Sequence, residues 1–462
     1  MKKLNLRLIS SIAALALAAT AFTSCDDELG GNEPIPESEL TELTGNITSN
    51  MTLEASKKYL LKGNVFVLAG TEITIQPGTV IFGDKLTKGS LIIERGAKIH
   101  ATGTAEKPIV FTSSAPKGFR NYGDWGGVVV LGKAINNQSE NQSIEGITAG
   151  TAGQYGGAAD DDNSGELKYV RIEFGGIALS TDNELNGLTF GSVGSGTQVD
   201  HIQVSYSGDD SFEWFGGTVN AQYLVAYRGW DDDFDTDFGF RGKVQYAASF
   251  RDPNIADKSG SNGFESDNDG SGSTKTPKTA PVFANVTWFG PHAFSALKSN
   301  ALDKAGVSAN FQFAGHLRRN SDIQVFNSVF VGSQLEAIHF DKTGSAAVFK
   351  GNYIGRYGVN AGTPGTVKKV TAGNSYNDAN FATENVIEAN GLTVDLSAKF
   401  AGMSGAMNIN APSALLANSS SLLSGAATVP GGITQTAYVG AFDATNNWLS
   451  GWTSFDPNNA DY

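Results

Sequence analysis

Short runs in which apolar and polar residues alternate, each closed by a glycine or an asparagine, recur along most of the chain. Ile73-Thr74-Ile75-Gln76-Pro77-Gly78-Thr79-Val80-Ile81 returns as Ile93-Glu94-Arg95-Gly96-Ala97-Lys98-Ile99, so that Ile75, Gly78 and Ile81 each find a counterpart 18 residues on. Alternation with period two predicts strands with one buried face. Its return at a fixed offset predicts a solenoid, each coil covering the face of its neighbour. Further along the offset lengthens: the aromatic residues Tyr206, Tyr227 and Phe250, each in a short apolar run, are 21 and 23 apart. Asn285-Val286-Thr287-Trp288-Phe289-Gly290, Asn327-Ser328-Val329-Phe330-Val331-Gly332 and Asn352-Tyr353-Ile354-Gly355 add coils that open on asparagine. A sandwich or up-and-down barrel also has short alternating strands, but does not demand like residues one coil apart. The predicted fold is all-β, a right-handed parallel β-helix.

Two polar, glycine-rich stretches interrupt the pattern, residues 133–165 with Asp160-Asp161-Asp162 near their end, and residues 253–281. They read as long loop insertions, where function often sits. Residues 365–462 lose the period and are expected to form the last coils and a C-terminal cap, since an open solenoid end exposes strand edges and core.

The first residues change the picture of where the protein works. Lys2, Lys3 and Arg7 precede an apolar run from Leu8 to Phe22, and Phe22-Thr23-Ser24 leads into Cys25, the only cysteine of the chain. This is the form of an export signal. A lone cysteine there is expected to accept a lipid anchor such as palmitate, so that residues 1–24 are a lipoprotein signal, 25–42 a lipidated flexible tether, and 43–462 a single β-helix domain. Asp26-Asp27-Glu28 after the cysteine is either a surface-sorting tag or a solvated acidic linker. Loss of Lys2, Lys3 and Arg7 takes the formal charge from -14 to -17. A surface that acidic argues against nucleic acid, which needs a basic patch, and is compatible with cation binding.

Ser90 to Thr104, then Lys107-Pro108-Ile109-Val110-Phe111-Thr112-Ser113 and Gly123-Asp124-Trp125-Gly126-Gly127, resemble a pectin-lyase-like family of β-helical outer-membrane lipoproteins whose members occur widely in Bacteroidota and include a leptospiral outer-membrane lipoprotein. Tyr438-Val439-Gly440-Ala441-Phe442 with Trp448, Gly451, Trp452 and Phe455-Asp456-Pro457 resembles the same family's C-terminal signature. The resemblance implies a lipid-anchored outer-membrane protein at the cell surface. It also implies a nutrient-related role, because some members accompany TonB-dependent transporters, and it implies no chemistry.

Candidate chemistry lies in a series of acids. Asp209-Asp210-Ser211-Phe212-Glu213 is followed by Asp231-Asp232-Asp233-Phe234-Asp235-Thr236-Asp237, with Phe212 and Phe234 spaced by 22, and then by Phe264-Glu265-Ser266-Asp267. On successive coils Glu213, Asp235 and Glu265 would stack, with Asp237 and Asp267 beside them. Carboxylates at a strand spacing of about 4.8 Å repel by roughly 3–4 kcal/mol at an effective dielectric near 20. Calcium, or the nearby Arg228, Arg241, Lys243 and Arg251, would offset that repulsion; alternatively the acids point into water. The candidate metal ligands are therefore Asp209, Asp210, Glu213, Asp231, Asp232, Asp233, Asp235, Asp237, Glu265 and Asp267, with calcium as cofactor.

Gly208-Asp209-Asp210 resembles the paired-acid motif of polygalacturonases, but their histidine motif and Arg-Ile-Lys are missing. An enzyme would be a calcium-dependent lyase or a glycoside hydrolase using Asp209, Asp210 and Arg228 or Arg251. The five histidines, at 100, 201, 292, 316 and 339, show no close metal spacing. Trp125, Trp214, Trp230 and Trp288 are sugar platforms if exposed and packing residues if not. The leading reading is a non-catalytic surface lipoprotein binding a ligand, a glycan or a transporter; a calcium-dependent enzyme and a structural envelope protein are the alternatives.

Overall fold

Phe212-Glu213-Trp214-Phe215 shows why the strands stack. Alternation sends Phe212 and Trp214 inward, where both are fully buried, and turns Glu213 outward. The next two coils repeat the choice, with Phe212, Phe234 and Phe264 in register. Their ring centroids lie 5.7 and 5.5 Å apart, close to the spacing of adjacent strands, so one inward column becomes a stack of rings.

The structure is a computed structural model and describes residues 39–147, 150–180, 183–293, 306–358, 366–388, 396–401 and 412–462. Cys25 and the expected export signal lie outside the described residues. The chain forms a right-handed parallel β-helix whose strands join in one 26-stranded sheet. Each coil contributes to three faces. Long strands such as Gln198–Ser205, Asn220–Tyr227 and Lys243–Phe250 bend midway and serve the first two. Shorter strands, Leu188–Gly191, Phe212–Phe215, Phe234–Asp237, Phe264–Ser266, Gly315–Arg318 and Ile338–Asp341, make the third.

At the bend of each long strand sits a residue in the left-handed region: Tyr169, His201, Tyr223, Tyr246 and Asn285 have φ between 50° and 60°. The left-handed conformation costs a non-glycine residue about 1–2 kcal/mol. Ring stacking of Tyr169 on His201 and His201 on Tyr223, both at 4.4 Å, and of Tyr223 on Tyr246 at 5.0 Å offsets part of it. Asparagine, the other residue that tolerates this region, takes over at Asn285 and Asn327. A side-chain amide ladder does appear near the C-terminal coils, where Asn352 Nδ2 donates to Asn385 Oδ1 at 2.9 Å.

The 18-residue repeat is not a coil. Ile73 pairs with Ile99 and Val67 with Ile93, so one coil spans 26 residues here. The repeated motif is a strand, a corner and a strand, and a coil has several such corners. Gly78 and Gly96 are left-handed corners with φ of +86° and +91°, which explains why the motif recurs within a coil and not only between coils. Further on, Phe212 and Phe234 are true register partners, as are Tyr227 and Phe250. Tyr206 falls one position beyond the strand, since Ser205 is the partner of Tyr227.

A short helix, Phe381–Glu384, buries Phe381 against Phe340 and Phe349 at the C-terminal end. The last forty residues then do something the sequence did not announce. They run back along the helix flank toward its first coils. Ala427 exchanges two hydrogen bonds with Asn327, Thr434 two with Gln245, and Ser454 two with Gln203. Tyr462 finally donates to Glu173, and its backbone carbonyl accepts from Lys58 at 2.6 Å. Trp452, 1% exposed, packs edge-on against Tyr169 and His201. Trp452→Ala is expected to cost about 3–5 kcal/mol and to open this strap to protease before the coils. Equal cleavage rates in strap and coils would show that the strap has no separate stability.

Candidate functional site

The outward column of the third face carries the acids. Glu213, Asp235 and Glu265 are direct register partners on three successive strands. Asp209, Asp210, Asp231 and Asp232 come from the corners that precede those strands, one coil apart. These corners are laddered together: the Asp210 carboxylate accepts from the backbone N–H of Asp232 at 2.8 Å, and the Asp232 carboxylate accepts from the N–H of Asn262. The spacing predicted that Glu213, Asp235 and Glu265 would stack, and they do.

The two long insertions turn this face into a cavity. Segment 133–165 supplies Glu145, the hairpin formed by Ile177–Ser180 and Asn183–Leu185 supplies Glu184, and segment 253–281 supplies Asp257, Lys258 and Ser259. The cleft has a volume of about 530 Å³ and opens to solvent, and Asp209, Asp210, Glu213, Asp231, Asp232, Asp235, Asp237, Glu265 and Asp267 all line it. Asp233 does not. Its side chain turns inward, fully buried, and accepts from Ser249 Oγ at 2.7 Å, Arg251 at 2.9 Å and Trp288 Nε1 at 2.8 Å. It is a structural acid.

The basic residues expected to offset the acids are engaged elsewhere. Arg228 pairs with buried Asp252 at 2.9 Å, Arg241 with Asp160 at 3.0 Å, and Lys243 donates to the Gly431 carbonyl at 2.7 Å. Arg251 is held by Asp233 under the face. None of the four lines the cavity. The cations that do were not singled out from the sequence. Arg318 reaches Glu265 and donates from Nε to Asp267 at 2.9 Å, and Arg319 donates to Asp267 at 2.7 Å. Arg318 ends, and Arg319 follows, a strand whose predecessor in the sheet is about fifty residues away, so no short repeat marks them.

The electrostatic consequence is large. Burial first, and then the neighbouring carboxylates, lift Asp209, Asp210, Glu213 and Asp237 well above their ordinary values. Asp231 is pushed up to about 8, by burial and then Asp232; Asp232 and Asp235 rise to about 7 for the same kinds of reason. Asp267 also stands at about 7, burial outweighing Arg319. Two carboxylate oxygens, Asp231 Oδ1 and Asp235 Oδ1, are buried without any hydrogen-bond partner. One oxygen each of Asp209, Asp210 and Asp231 lie within 4.8 Å of one another, as do those of Asp210, Glu213 and Asp235. Such a set, all oxygen and net negative, fits calcium, which takes six to eight oxygen ligands.

The tryptophans are packing residues. Trp125, Trp214 and Trp288 are at most 1% exposed; Trp230 packs edge-on against Tyr122 and donates to Asp257 at 3.2 Å.

A family model described as a pectate-lyase-like β-helix domain matches residues 45–404. No curated protein matches the sequence. Among solved structures, the crystal structure of the Dettilon tailspike protein is similar at 9% identity and a TM-score of 0.27, over 74% of this chain and 63% of the tailspike. The chain thus spans less than two thirds of that protein's length.

Proposed function

We propose, for a chain that belongs to the pectate-lyase-like β-helix domain family, that it is a non-catalytic, calcium-dependent binding protein held at the bacterial outer-membrane surface by a lipid on Cys25. Calcium sits in the acidic cavity, organises Asp209, Asp210, Glu213, Asp231, Asp232 and Asp235, and presents open coordination positions to an anionic ligand such as an acidic glycan. The carrying observation is the pair of buried, partnerless oxygens on Asp231 and Asp235 in a cavity whose arginines, among the described residues, form ion pairs with Glu265 and Asp267. Bare stacked carboxylates are unfavourable by several kcal/mol per pair, and a divalent cation is the simplest charge that fits them. The export-signal pattern of residues 1–25 supports the envelope location, and the resemblance of residues 90–127 and 438–457 to outer-membrane lipoproteins supports a role beside a transporter.

The lyase alternative loses its base, because Arg228 and Arg251 are buried in ion pairs away from the cavity. A hydrolase would instead draw on Asp209 and Asp210, which both line it. Calorimetric titration of chelator-treated protein tests the cation: calcium is expected to bind, and Asp235→Asn to weaken it at least tenfold. Equal affinity in the two proteins, or no heat at all, removes the site. Incubation with acidic polysaccharides is expected to leave them intact, and new reducing or unsaturated ends would establish an enzyme instead.

A further inference from the structure

The outward column that holds the acids continues past them and changes its chemistry. In register it runs Glu213, Asp235, Glu265, His316, His339 and Lys369. We infer that His316, His339 and Asp341 form a second metal site, adjoining the acidic cavity at Glu265 but sharing no ligand with it, that takes a divalent first-row transition ion, with zinc(II) as its redox-inert representative.

The geometry comes from the sheet. His316 and His339 occupy adjacent strands, and their rings lie parallel, 7° apart, with centroids separated by 4.7 Å. Asp341 stands two residues beyond His339 on the strand Ile338–Asp341, hence on the same side of the sheet. One donor atom from each of the three lies within 4.8 Å of the others, so modest side-chain rotation brings them to a common centre.

An orphaned nitrogen on His339 points independently to a ligand, and a second nitrogen, on His316, faces Asp341 over a long ion-pair distance. His339 is 6% exposed, and its Nδ1 is buried with no hydrogen-bond partner. Its Nε2 lies 2.9 Å from Thr371 Oγ1. If the Nε2–H donates there, the lone pair stays on Nδ1, which is how a supporting hydrogen bond prepares a ligating imidazole. His316 Nε2 is likewise buried without a hydrogen bond, 3.6 Å from Asp341 Oδ2. Buried polar atoms are rarely left this way.

The surrounding charges keep the imidazoles neutral. Burial, then His316, then Lys369 hold His339 down to about 4, and burial lowers His316 as well. Lys369 rests over the Phe313 ring at 5.7 Å, and Arg319 lies nearby, both disfavouring a cation. Asp341, and Glu265 at 3.6 Å from His316 Nδ1, oppose them. Two neutral imidazoles with one carboxylate make a mixed nitrogen and oxygen set of the kind that binds zinc or iron(II) with open positions. Calcium prefers the all-oxygen cavity. Asp341, 32% exposed in its side chain, gives solvent access.

The test uses the full mature chain, stripped of metal and then saturated with calcium so that the acidic cavity is filled. Cobalt(II) is titrated while its visible absorption is followed, and zinc is then added in competition. One zinc per chain is expected to displace cobalt. His339→Gln and Asp341→Asn should weaken zinc roughly a hundredfold, while Asp235→Asn should not. Melting of each variant without zinc checks folding, and Asp341 lies near enough to solvent for its variant to fold. Absent zinc binding, equal binding in the His339 and Asp341 variants, or loss in Asp235→Asn instead would overturn the site.

Discussion

Metal-free protein is expected to lose stability as the pH rises from about 4 to about 8, and calcium to restore it most at the upper end. Asp231 titrates near 8 in the fold and Asp232, Asp235 and Asp267 near 7, with Asp209, Asp210, Glu213 and Asp237 also raised. Their unfolded values lie near 4. Below the unfolded value both states hold the protons, and this contribution to stability is fully present. Between the unfolded and folded values the unfolded chain releases protons that the fold retains, so ionisation favours unfolding, and the contribution is gone once the folded values are passed. Acids with depressed values, such as Asp269 at about 2 and Asp257, act in the opposite direction and at lower pH. They set the acid side of a stability maximum near pH 4–5. Calcium competes with fewer protons at pH 8 than at pH 5. Several kcal/mol over this window corresponds, in a domain this long, to a melting shift of roughly 3–6 °C. Scans in chelator and in calcium at pH 5 and pH 8 measure it. A calcium effect as large at pH 5 as at pH 8 would separate the cation from these acids.

The second large effect is structural. Arg251→Met is expected to cost about 3–5 kcal/mol, because it leaves Asp233 charged and fully buried. Asp233 keeps Ser249 and Trp288 as donors, but these do not neutralise it. Adding Asp233→Asn should recover part of the loss, since the uncompensated charge is then gone. Calcium affinity should fall as well: neither side chain lines the cavity, but Arg251 also donates to the backbone carbonyl of Asp231 at 2.5 Å and so fixes the corner that carries that ligand. Denaturant melts of the single and double variants decide this. Full stability in Arg251→Met would return Arg251 to the pool of residues kept for chemistry.

The acid column was legible because a parallel coil converts equal spacing into adjacency. Phe212 and Phe234 repeat at 22 residues and carry Glu213 and Asp235 with them. His316 and His339 were overlooked as metal ligands for want of a close spacing, although their separation of 23 is the same as that of Tyr227 and Phe250, one coil. The correct test for a solenoid is spacing by a coil, not by three or four residues. The 18-residue repeat misled for a related reason: it compared successive corners, which look alike because each needs a turn between two short strands.

By itself the sequence determined the parallel β-helix, the stacking of Glu213, Asp235 and Glu265, and the position of the two insertions. All three follow from local alternation and coil-length repetition. Only the tertiary structure decided that Asp233 faces inward, and that Arg228 and Arg251 serve buried ion pairs. It alone showed the insertions closing over the acids, and the last forty residues binding the flank instead of ending in the cap. Those outcomes depend on which corner turns a side chain in or out and on contacts between segments hundreds of residues apart. Neither leaves a periodic trace in the chain.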